Sequence, residues 1–295
     1  MKVSVIIPSR NEQFLTPTVR DVLTKARGEI ECIVVLDGYW DHALPADPRL
    51  KILHRGTAQG MRPAINAATR IATGEFFMKL DAHVALDEGY DEVLKADCPD
   101  ATIVVPRRDR LDPVNWCRQE SGKPPIDAHY LSYPFERLND SSCGLHGTVW
   151  NDRAKARRDV LIDEEMSSQG SCWFMRRSHW NRLGDMEIAR YGNFINEMQE
   201  LGLKTWLGGG QVLVNKKTTY LHLHKGKTYG RGYTLNGSNH TAGAAFAIRY
   251  WMLDQWAERV HDLRWLIEKF APVPSWPADL DVAFRTAREQ LQVAA

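Results

Sequence analysis

Residues 74–90 read GEFFMKLDAHVALDEGY, and the first ten residues of this stretch carry most of the information about the fold. The apolar run from Phe76 to Leu80 predicts a short strand that is buried on both faces. The run stops at Asp81, and His83 follows two residues later. Side chains two residues apart on an extended chain point to the same side. The sequence therefore predicts a carboxylate and an imidazole that face one point at the end of a buried strand.

The sequence around this strand alternates between short apolar runs and helical patterns. Strands are predicted at 3–8, 31–36, 50–54, 75–80 and 102–106, and helices at 16–26 and 62–73. Strands separated by helices are typical of βαβ units and of a mostly parallel sheet flanked by helices. We therefore predict an α/β fold whose first half covers residues 1–106.

The pattern changes after residue 106. Residues 107–168 are polar and turn-rich, and we predict an insertion or lid there. Residues 169–235 are predicted to complete the domain 1–235, with strands at 171–176, 211–214 and 218–222 and a helix near 194–201 that ends at Gly202. Apolar residues then recur at helical spacing between 242 and 270, which predicts one long amphipathic helix there. Residues 236–295 are accordingly predicted to form a C-terminal helical extension.

Composition argues against several classes of protein. The chain has 295 residues and a net charge of +1, so no overall field favours nucleic acid or an anionic membrane. No window approaches the roughly 20 apolar residues of a membrane span, and the N-terminal segment becomes polar too soon for a signal peptide. The five cysteines include no CxxC pair, which argues against a zinc site or a disulfide framework. We expect a soluble, cytoplasmic protein.

Polar residues collect where the predicted strands end. Asn11 and Glu12 follow the first strand, Asp37 follows the second, and Asp81 and His83 follow the fourth. In an open parallel sheet, ligands bind beyond the carboxyl ends of the strands. A carboxylate with an imidazole suits a divalent first-row metal better than calcium. From the residues alone, a metal-binding pair and a turn-capping aspartate beside a packed histidine are about equally good interpretations.

Four segments, in order, resemble the successive motifs of the GT-A glycosyltransferases of the family 2 type. They are VSVIIPSRNE at 3–12, VVLDG at 34–38, GMRPAINAA at 60–68 and GEFFMKLDAH at 74–83. The family usually has Asp-x-Asp in the fourth segment. The Asp-x-His of this chain is similar to the polypeptide N-acetylgalactosaminyltransferases. The resemblance covers residues 1–90 and, more loosely, 165–225. It implies a GT-A (Rossmann-like) fold and metal-dependent transfer of a sugar from a nucleoside diphosphate sugar, preferably a UDP-sugar, to a hydroxyl acceptor.

The resemblance also implies roles for individual residues. Asp81 and His83 would bind Mn²⁺ or Mg²⁺, and a later histidine would complete the set. His222 and His224 are the candidates for this third ligand, and His224 is slightly preferred because Lys225 follows it. Asp37 would accept a hydrogen bond from the base of the nucleotide. The other residues implied to bind the nucleotide sugar are Pro8, Arg10, Asn11, Glu12, Arg62, Trp173, Lys225 and Arg231.

Two of the implied roles conflict with other interpretations of the same residues. Trp173 would stack on a sugar face, but a tryptophan in the core is about as good an interpretation. Inverting relatives take their catalytic base from a Glu-Asp pair, and residues 191–202 contain none. Glu197 is the best candidate base because Glu200 is expected to be more exposed. A solvated helix carboxylate is an equal alternative, and both retention and inversion stay open.

Other functions remain possible on the same scaffold. A nucleotidyltransferase is disfavoured because no Gly-rich basic signature lies near the first strand, whereas a non-catalytic nucleotide-sugar-binding protein would explain the missing Glu-Asp pair. The acceptor could be a glycan, a protein or a hydroxylated base in DNA. Basic and aromatic residues interleave at 153–158, 175–182 and 225–233, which would suit a nucleic acid. A basic face balanced by acids is the preferred interpretation.

Overall fold

The computed structural model describes residues 1–135, 145–234 and 237–293, and its first part is built from alternating strands and helices. The elements are β1 (Val3–Ser9), α1 (Leu15–Lys25), β2 (Ile30–Asp37), β3 (Leu50–Arg55), α2 (Met61–Ile71) and β4 (Phe76–Leu80). β1 pairs in parallel with β2 and β4, and β2 pairs in parallel with β3. The strands predicted at 3–8, 31–36, 50–54 and 75–80 and the helices predicted at 16–26 and 62–73 are confirmed to within two residues at each end.

The middle of the chain contains mostly short elements. They are β5 (Val84–Leu86), α3 (Tyr90–Ala96), β6 (Thr102–Asp112), β7 (Cys117–Arg118), β8 (His129–Leu131), β9 (Gly147–Val149), α4 (Asn151–Ala156) and β10 (Ile162–Glu164). β6 continues past residue 106, where we predicted a boundary, and β10 joins the main sheet. The segment 107–168 therefore contributes strands to the body of the fold. The pair β8–β9 forms a separate two-stranded sheet.

The last part of the described chain contributes two strands and several helices. They are β11 (Cys172–Arg176), α5 (Arg177–Leu183), α6 (Glu197–Leu207), β12 (Gln211–His222), α7 (Gly226–Tyr229), α8 (Gly237–Met252), α9 (Leu263–Phe270) and α10 (Leu280–Val293). The helix near 194–201 runs on through Gly202, contrary to our prediction. The two strands predicted at 211–222 are one strand, β12, whose register with β6 shifts between Asn215 and Thr219.

The single long helix predicted over 242–270 is wrong, because the chain turns between α8 and α9. Asp254 lies in the left-handed region at φ 51°, which a continuous helix does not allow. Asp262 then caps α9 by accepting a hydrogen bond from the Trp265 N–H at 2.8 Å. Each helix in the described ranges is too short or too polar to cross a bilayer.

The main sheet has ten strands, and one strand near its middle runs opposite to both of its neighbours. Its order is β10-β12-β6-β11-β4-β1-β2-β3, with β5 beside β12 and β7 beside β6. β11 runs antiparallel to both of its neighbours, β4 and β6, whereas β6 and β12 are parallel. The α/β class is confirmed, and the sheet is mixed. The carboxyl end of β4 therefore meets the beginning of β11, where the Asp81 N–H donates to the Ser171 carbonyl at 2.9 Å.

Candidate functional site

A cleft of about 1150 Å³ lies at the carboxyl ends of β1, β2 and β4. The end of β12 and the start of α6 complete its walls. Eleven of the predicted site residues line it, namely Glu197 and the ten residues Pro8, Arg10, Glu12, Asp37, Asp81, His83, His222, His224, Lys225 and Arg231. Asn11, Arg62 and Trp173 are not among the described residues that line it. One crevice at the strand ends thus collects most of the predicted residues.

Asp81, His83 and His222 form a cluster whose ligand atoms all lie within 4.8 Å of one another. Asp81 Oδ2 is 3.3 Å from His222 Nε2 and 3.8 Å from His83 Nε2. Strand pairing produces this arrangement, because His222 lies opposite Val84 where β12 pairs with β5. The Leu223 N–H also donates to the His83 carbonyl at 3.2 Å. A long-range pairing thus brings a residue of β12 to the pair at the end of β4.

Glu12 fixes the ring of His83. Its Oε2 lies 3.1 Å from His83 Nδ1, so a proton on Nδ1 leaves the lone pair of Nε2 directed at Asp81. Burial raises the pKa of Glu12, but His83 and Lys225 lower it below its ordinary value. An ionised Glu12 therefore supports the imidazole in the way that outer carboxylates support histidine ligands of metals.

The structure places His222, and not His224, in the cluster. The side chain of His222 is 12% exposed, and its buried Nδ1 has no hydrogen-bond partner within the described ranges. Burial lowers the pKa of His222 to about 4, so the ring is neutral at neutral pH. His224 is exposed, with its ring centroid 5.1 Å from that of His222. It follows the end of β12, beyond the residues that pair with β5, and the preference for His224 is therefore corrected.

One carboxylate oxygen and two imidazole nitrogens fit a divalent first-row ion such as Mn²⁺. Imidazole suits such ions, whereas calcium prefers oxygen ligands alone. Burial raises the pKa of Asp81, but Lys79 and the two histidines lower it well below its usual value. The cluster therefore combines the ionised carboxylate of Asp81 with the imidazole nitrogens of His83 and His222. Three protein ligands leave coordination positions of the ion open for oxygens of another molecule.

Lys79 belongs to the site although we did not predict it. It has no solvent exposure, and its Nζ donates to Asp81 Oδ1 at 2.7 Å, to Glu197 Oε2 at 3.1 Å and to the Gly170 carbonyl. Burial lowers the pKa of Lys79, but the two carboxylates raise it above its ordinary value. A charged residue inside the apolar run FFMKL is the signal that would have identified it.

Glu197, the predicted catalytic base, lies at the wall of the cleft with both of its oxygens already hydrogen-bonded. Its side chain is 4% exposed, Oε1 accepts from Trp173 Nε1 at 2.6 Å, and Oε2 accepts from Lys79. One lone pair on each oxygen is used in this way, and the role of Glu197 as the base stays a prediction. Trp173 is itself fully buried and stacks on Trp180 at 5.7 Å between ring centroids, so it offers no face to a sugar.

Arg62, which the resemblance placed near the nucleotide sugar, is held by partners within the protein. It is fully buried, it donates to the carbonyls of Ile195 and Glu187, and it forms an ion pair with Glu200. Glu200, which we expected to be exposed, is therefore buried as the partner of this guanidinium. The positive charge of Arg62 joins α2 to the segment that precedes α6.

Asp37 lines the cleft and also fixes the loop before α2. Its Oδ1 accepts from the Gln59 N–H at 2.9 Å, and its Oδ2 accepts from the Gly60 N–H at 2.7 Å. Gly60 has φ 99°, and a Cβ there would lie 2.6 Å from the Cβ of Asn193. Each oxygen of Asp37 keeps a second lone pair, so the carboxylate can still accept from a ligand.

The segment after β12 lies against the loop after β1. Lys225 forms an ion pair with Glu12, and the Asn11 side chain donates to the Gly232 carbonyl at 3.2 Å. Arg10 lies over the ring of Tyr233, with its guanidinium carbon 4.8 Å from the centroid. Lys225 therefore neutralises a carboxylate of the site, and Arg10 stands at the wall of the cleft.

Most arginines of the predicted basic clusters at 153–158 and 175–182 have partners within the protein. Arg157 makes two hydrogen bonds to Asp163, at 2.7 and 3.0 Å, and Arg158 lies 3.4 Å from Asp159. Arg177 donates to two backbone carbonyls. This pairing favours the interpretation of a balanced face over that of a surface for nucleic acid.

The comparisons with known proteins agree with this architecture. Residues 4–184 match the family described as Glycosyl transferase family 2. A crystal structure of GalNAc-T7 with UDP, GalNAc and Mn²⁺ is similar, with a TM-score of 0.68 and 15% identity. That match covers 92% of this chain and 56% of that chain, so this chain spans little more than half of GalNAc-T7.

Staphylococcal structures are similar as well. TarS 1–349 of S. aureus, in complex with UDP-GlcNAc, has a TM-score of 0.56 and 14% identity over 99% of this chain and 80% of that one. A second S. aureus TarS structure has a TM-score of 0.51 and 13% identity over 98% and 53% of the two chains. No curated protein matches this chain significantly in sequence. These structural similarities establish a shared GT-A fold. The family match over more than half of the chain shows that the protein belongs to glycosyl transferase family 2.

Proposed function

We propose that this protein is a metal-dependent glycosyltransferase that moves a sugar from a UDP-sugar to a hydroxyl acceptor. The observation that carries the proposal is the cluster of Asp81, His83 and His222 inside the cleft at the strand ends. Membership of glycosyl transferase family 2 supports the reaction class. Similar structures contain UDP with Mn²⁺ or UDP-GlcNAc, which supports a uridine nucleotide and a divalent ion.

The residues of the cleft divide into two groups by position. Pro8 and Asp37, at the ends of β1 and β2, form the side proposed for the nucleotide. The cluster lies next to them, at the ends of β4 and β12. A divalent ion held there would neutralise the negative charge that develops on the diphosphate as it leaves.

The chain preorganises this site through side chains behind the cluster. Glu12 holds His83 with Nε2 towards Asp81, and Lys79 holds Oδ1 of Asp81 so that Oδ2 faces the histidines. Such outer contacts fix the orientation of ligands before substrate arrives, which lowers the cost of binding.

Three carboxylates of the cleft serve binding and position in this proposal. Glu12, Asp37, Asp81 and Glu197 are the acidic residues among its described walls, and each accepts from a donor within the protein. The proposed reaction therefore assigns binding and position to Glu12, Asp37 and Asp81, and the proton of the acceptor hydroxyl passes to the departing diphosphate or to Glu197, the predicted base.

A thermal-shift panel tests the proposal. The panel contains UDP, GDP, CDP and ADP, each with Mn²⁺, with Mg²⁺ and with EDTA. We expect UDP with Mn²⁺ to raise the melting temperature, because a ligand at roughly 100 times its Kd adds about 2.7 kcal/mol of stability. The variant Asp81→Asn should lose this shift, whereas Asp152→Asn, an exposed change on α4, should keep it. An equal shift by UDP in EDTA, or no shift by any nucleotide, would contradict the proposal.

A further inference from the structure

The part of the cleft beyond the cluster is built from different strands than the nucleotide side. In the sheet order, β11 and β6 lie on one side of β4, and β1 and β2 lie on the other. Gln169 lines the cleft just before β11, next to Gly170, whose carbonyl accepts from Lys79. It therefore lies on the opposite side of Asp81 from Pro8 and Asp37. If the nucleotide occupies its proposed side, the transferred sugar extends towards Gln169.

Arg108 determines which atoms of the Gln169 amide face the cleft. Arg108 lies on β6 and is 2% exposed, and its Nη1 donates to Gln169 Oε1. A guanidinium has donors and no acceptor, so only the oxygen of the amide can face it. The amide nitrogen, Nε2, must then point away from Arg108. Nε2 donates no hydrogen bond to any residue in the described ranges, which leaves its two N–H groups available to a ligand.

Two further buried residues fix Arg108. Its Nη2 lies 3.2 Å from His129 Nε2, and His129 Nδ1 lies 2.6 Å from Glu165 Oε1. Because Arg108 can only donate, His129 Nε2 must accept, and its single ring proton sits on Nδ1 and is donated to Glu165. In each of the three hydrogen bonds that connect Glu165, His129, Arg108 and Gln169, the donor and the acceptor are therefore fixed. The series ends at the amide nitrogen of Gln169, which is a donor at the cleft.

We propose that Gln169 is a specificity-determining residue that donates a hydrogen bond from Nε2 to a hydroxyl or carbonyl oxygen of the transferred sugar. Arg108 is the positioning residue that holds the amide in this orientation. The inference rests on the proposed function, because it requires a nucleotide sugar in the cleft. A site built to hydrogen-bond a sugar oxygen discriminates more strongly than an apolar pocket, since an unpaired polar group in the cleft carries a cost.

Isothermal titration calorimetry with Mn²⁺ present tests the inference. The probes are UDP, UDP-GlcNAc, UDP-GalNAc and UDP-glucose, and the variants are Gln169→Glu and Gln169→Leu. Glutamate keeps the volume of glutamine and its bond to Arg108 but replaces the N–H donors by an acceptor oxygen. We expect the Kd of the preferred UDP-sugar to rise about 10-fold or more in Gln169→Glu, which corresponds to one hydrogen bond. The Kd of UDP alone should change less than about twofold.

Two control variants separate this role from a general loss of structure. Gln211→Glu makes the same chemical change at the start of β12, outside the cleft, and should bind every probe as the wild type does. Arg108→Lys keeps a buried donor for Oε1 of Gln169, whereas Arg108→Met removes it. The lysine variant should therefore retain more of the difference in Kd between the UDP-sugar and UDP than the methionine variant does. In both Arg108 variants the Kd of UDP should stay unchanged, which a merely structural role would not predict.

The possible outcomes distinguish the inference from the function on which it rests. If the wild type binds UDP and both Gln169 variants keep its affinity for UDP-sugars, the inference is wrong and the proposed function stands. Equal wild-type affinities for UDP and for all three UDP-sugars would also overturn the inference. If UDP does not bind to the wild type at all, the proposed function is wrong and the inference falls with it.

Discussion

The ammonium of Lys79 lies 2.7 Å from Oδ1 of Asp81, in a part of the sheet where Lys79 has no solvent exposure. The same nitrogen donates to Glu197 and to the Gly170 carbonyl, so its three protons are all used. One buried cation thus joins an aspartate of the cluster to the first residue of α6. Without it, the buried carboxylate of Glu197 would lie near that of Asp81, which is 27% exposed, with no positive charge between them.

Substitution of Lys79 by methionine is expected to destabilise the fold. Removal of one partner of a buried ion pair costs roughly 3–5 kcal/mol, because the remaining charge is left unpaired. Urea unfolding in EDTA measures this loss without any contribution from metal binding. The double variant Lys79→Met/Glu197→Gln should recover part of it, since one of the two unpaired charges is gone and Trp173 keeps an acceptor. A loss below about 1 kcal/mol in Lys79→Met would show that the pair is not important for stability.

His222→Ala and His224→Ala should differ in their effect on Mn²⁺. His222 belongs to the cluster with Asp81 and His83, whereas His224 is exposed beyond the end of β12. We expect His222→Ala to weaken Mn²⁺ binding by more than the roughly 10–100-fold that loss of an outer partner costs. His224→Ala should stay close to the wild type. Electron paramagnetic resonance of free Mn²⁺ gives the affinity of each variant for the ion. A larger loss of affinity in His224→Ala than in His222→Ala would favour His224, the ligand that the sequence analysis preferred.

The pair Asp81 and His83 could be predicted from the sequence because the rule that places it is local. The two residues directly follow one short strand and stay close in space whatever the rest of the chain does, although Ala82 and His83 lie in a bend and not in the extended segment that we predicted. The choice between His222 and His224 has no such local basis. It depends on which residue of β12 lies opposite Val84 in β5, and that register is set by strands more than 130 residues apart in sequence.

Burial is the observation that weighs against several other predicted roles. Arg62, Trp173 and Glu197 are residue types that active sites use, and each lies in a segment where the resemblance implied a function. The structure buries Arg62 and Trp173 behind the cleft and Glu197 at its wall, where their polar atoms bond to one another, to Lys79 or to the backbone. Such partners come from distant segments, so spacing along the sequence does not show them.

The free energy of unfolding is expected to depend on pH through Glu31. This residue is a buried carboxylate of β2 that accepts from the Ser4 hydroxyl at 2.6 Å and from the Thr73 N–H at 2.5 Å, and Lys51 lies 2.5 Å away. Burial raises the pKa of Glu31, but Lys51, Ser4 and Thr73 together lower it to about 2. The ionised form is therefore favoured in the folded state, and this contribution is complete above the ordinary pKa and is lost as the pH falls towards 2.

Glu31→Gln should remove this dependence. At pH 7 the depressed pKa corresponds to roughly 1–2 kcal/mol of stability once the screening of the exposed Lys51 by solvent is included, so the variant should unfold at a lower urea concentration than the wild type. The difference in free energy of unfolding should shrink between pH 5 and pH 2, because the wild type becomes protonated there while the amide does not. Urea titrations at several pH values measure it, with the exposed Glu120→Gln as control. A difference that stays constant with pH would exclude a depressed pKa.

Arg10 and Arg62 offer the clearest test of which arginine belongs to the nucleotide site. Arg10 lines the cleft, whereas Arg62 is fully buried with Glu200 and two backbone carbonyls as partners. We expect Arg62→Met to lower the free energy of unfolding by roughly 3–5 kcal/mol, as for other broken buried pairs. Its folded fraction should bind UDP with a Kd within about twofold of the wild type, since no contact with the ligand is lost.

Arg10→Met should show the opposite pattern. The change removes a positive charge from the wall of the cleft, where a diphosphate would lie, and it leaves no buried group without a partner. We therefore expect UDP to bind roughly 10-fold more weakly, which corresponds to about 1.4 kcal/mol, with a change in unfolding free energy below about 0.5 kcal/mol. Calorimetry and urea unfolding on both variants separate the two effects. If Arg62→Met bound UDP more weakly while its free energy of unfolding was unchanged, Arg62 would have to contact the diphosphate. That result would contradict the burial of its guanidinium in the structure.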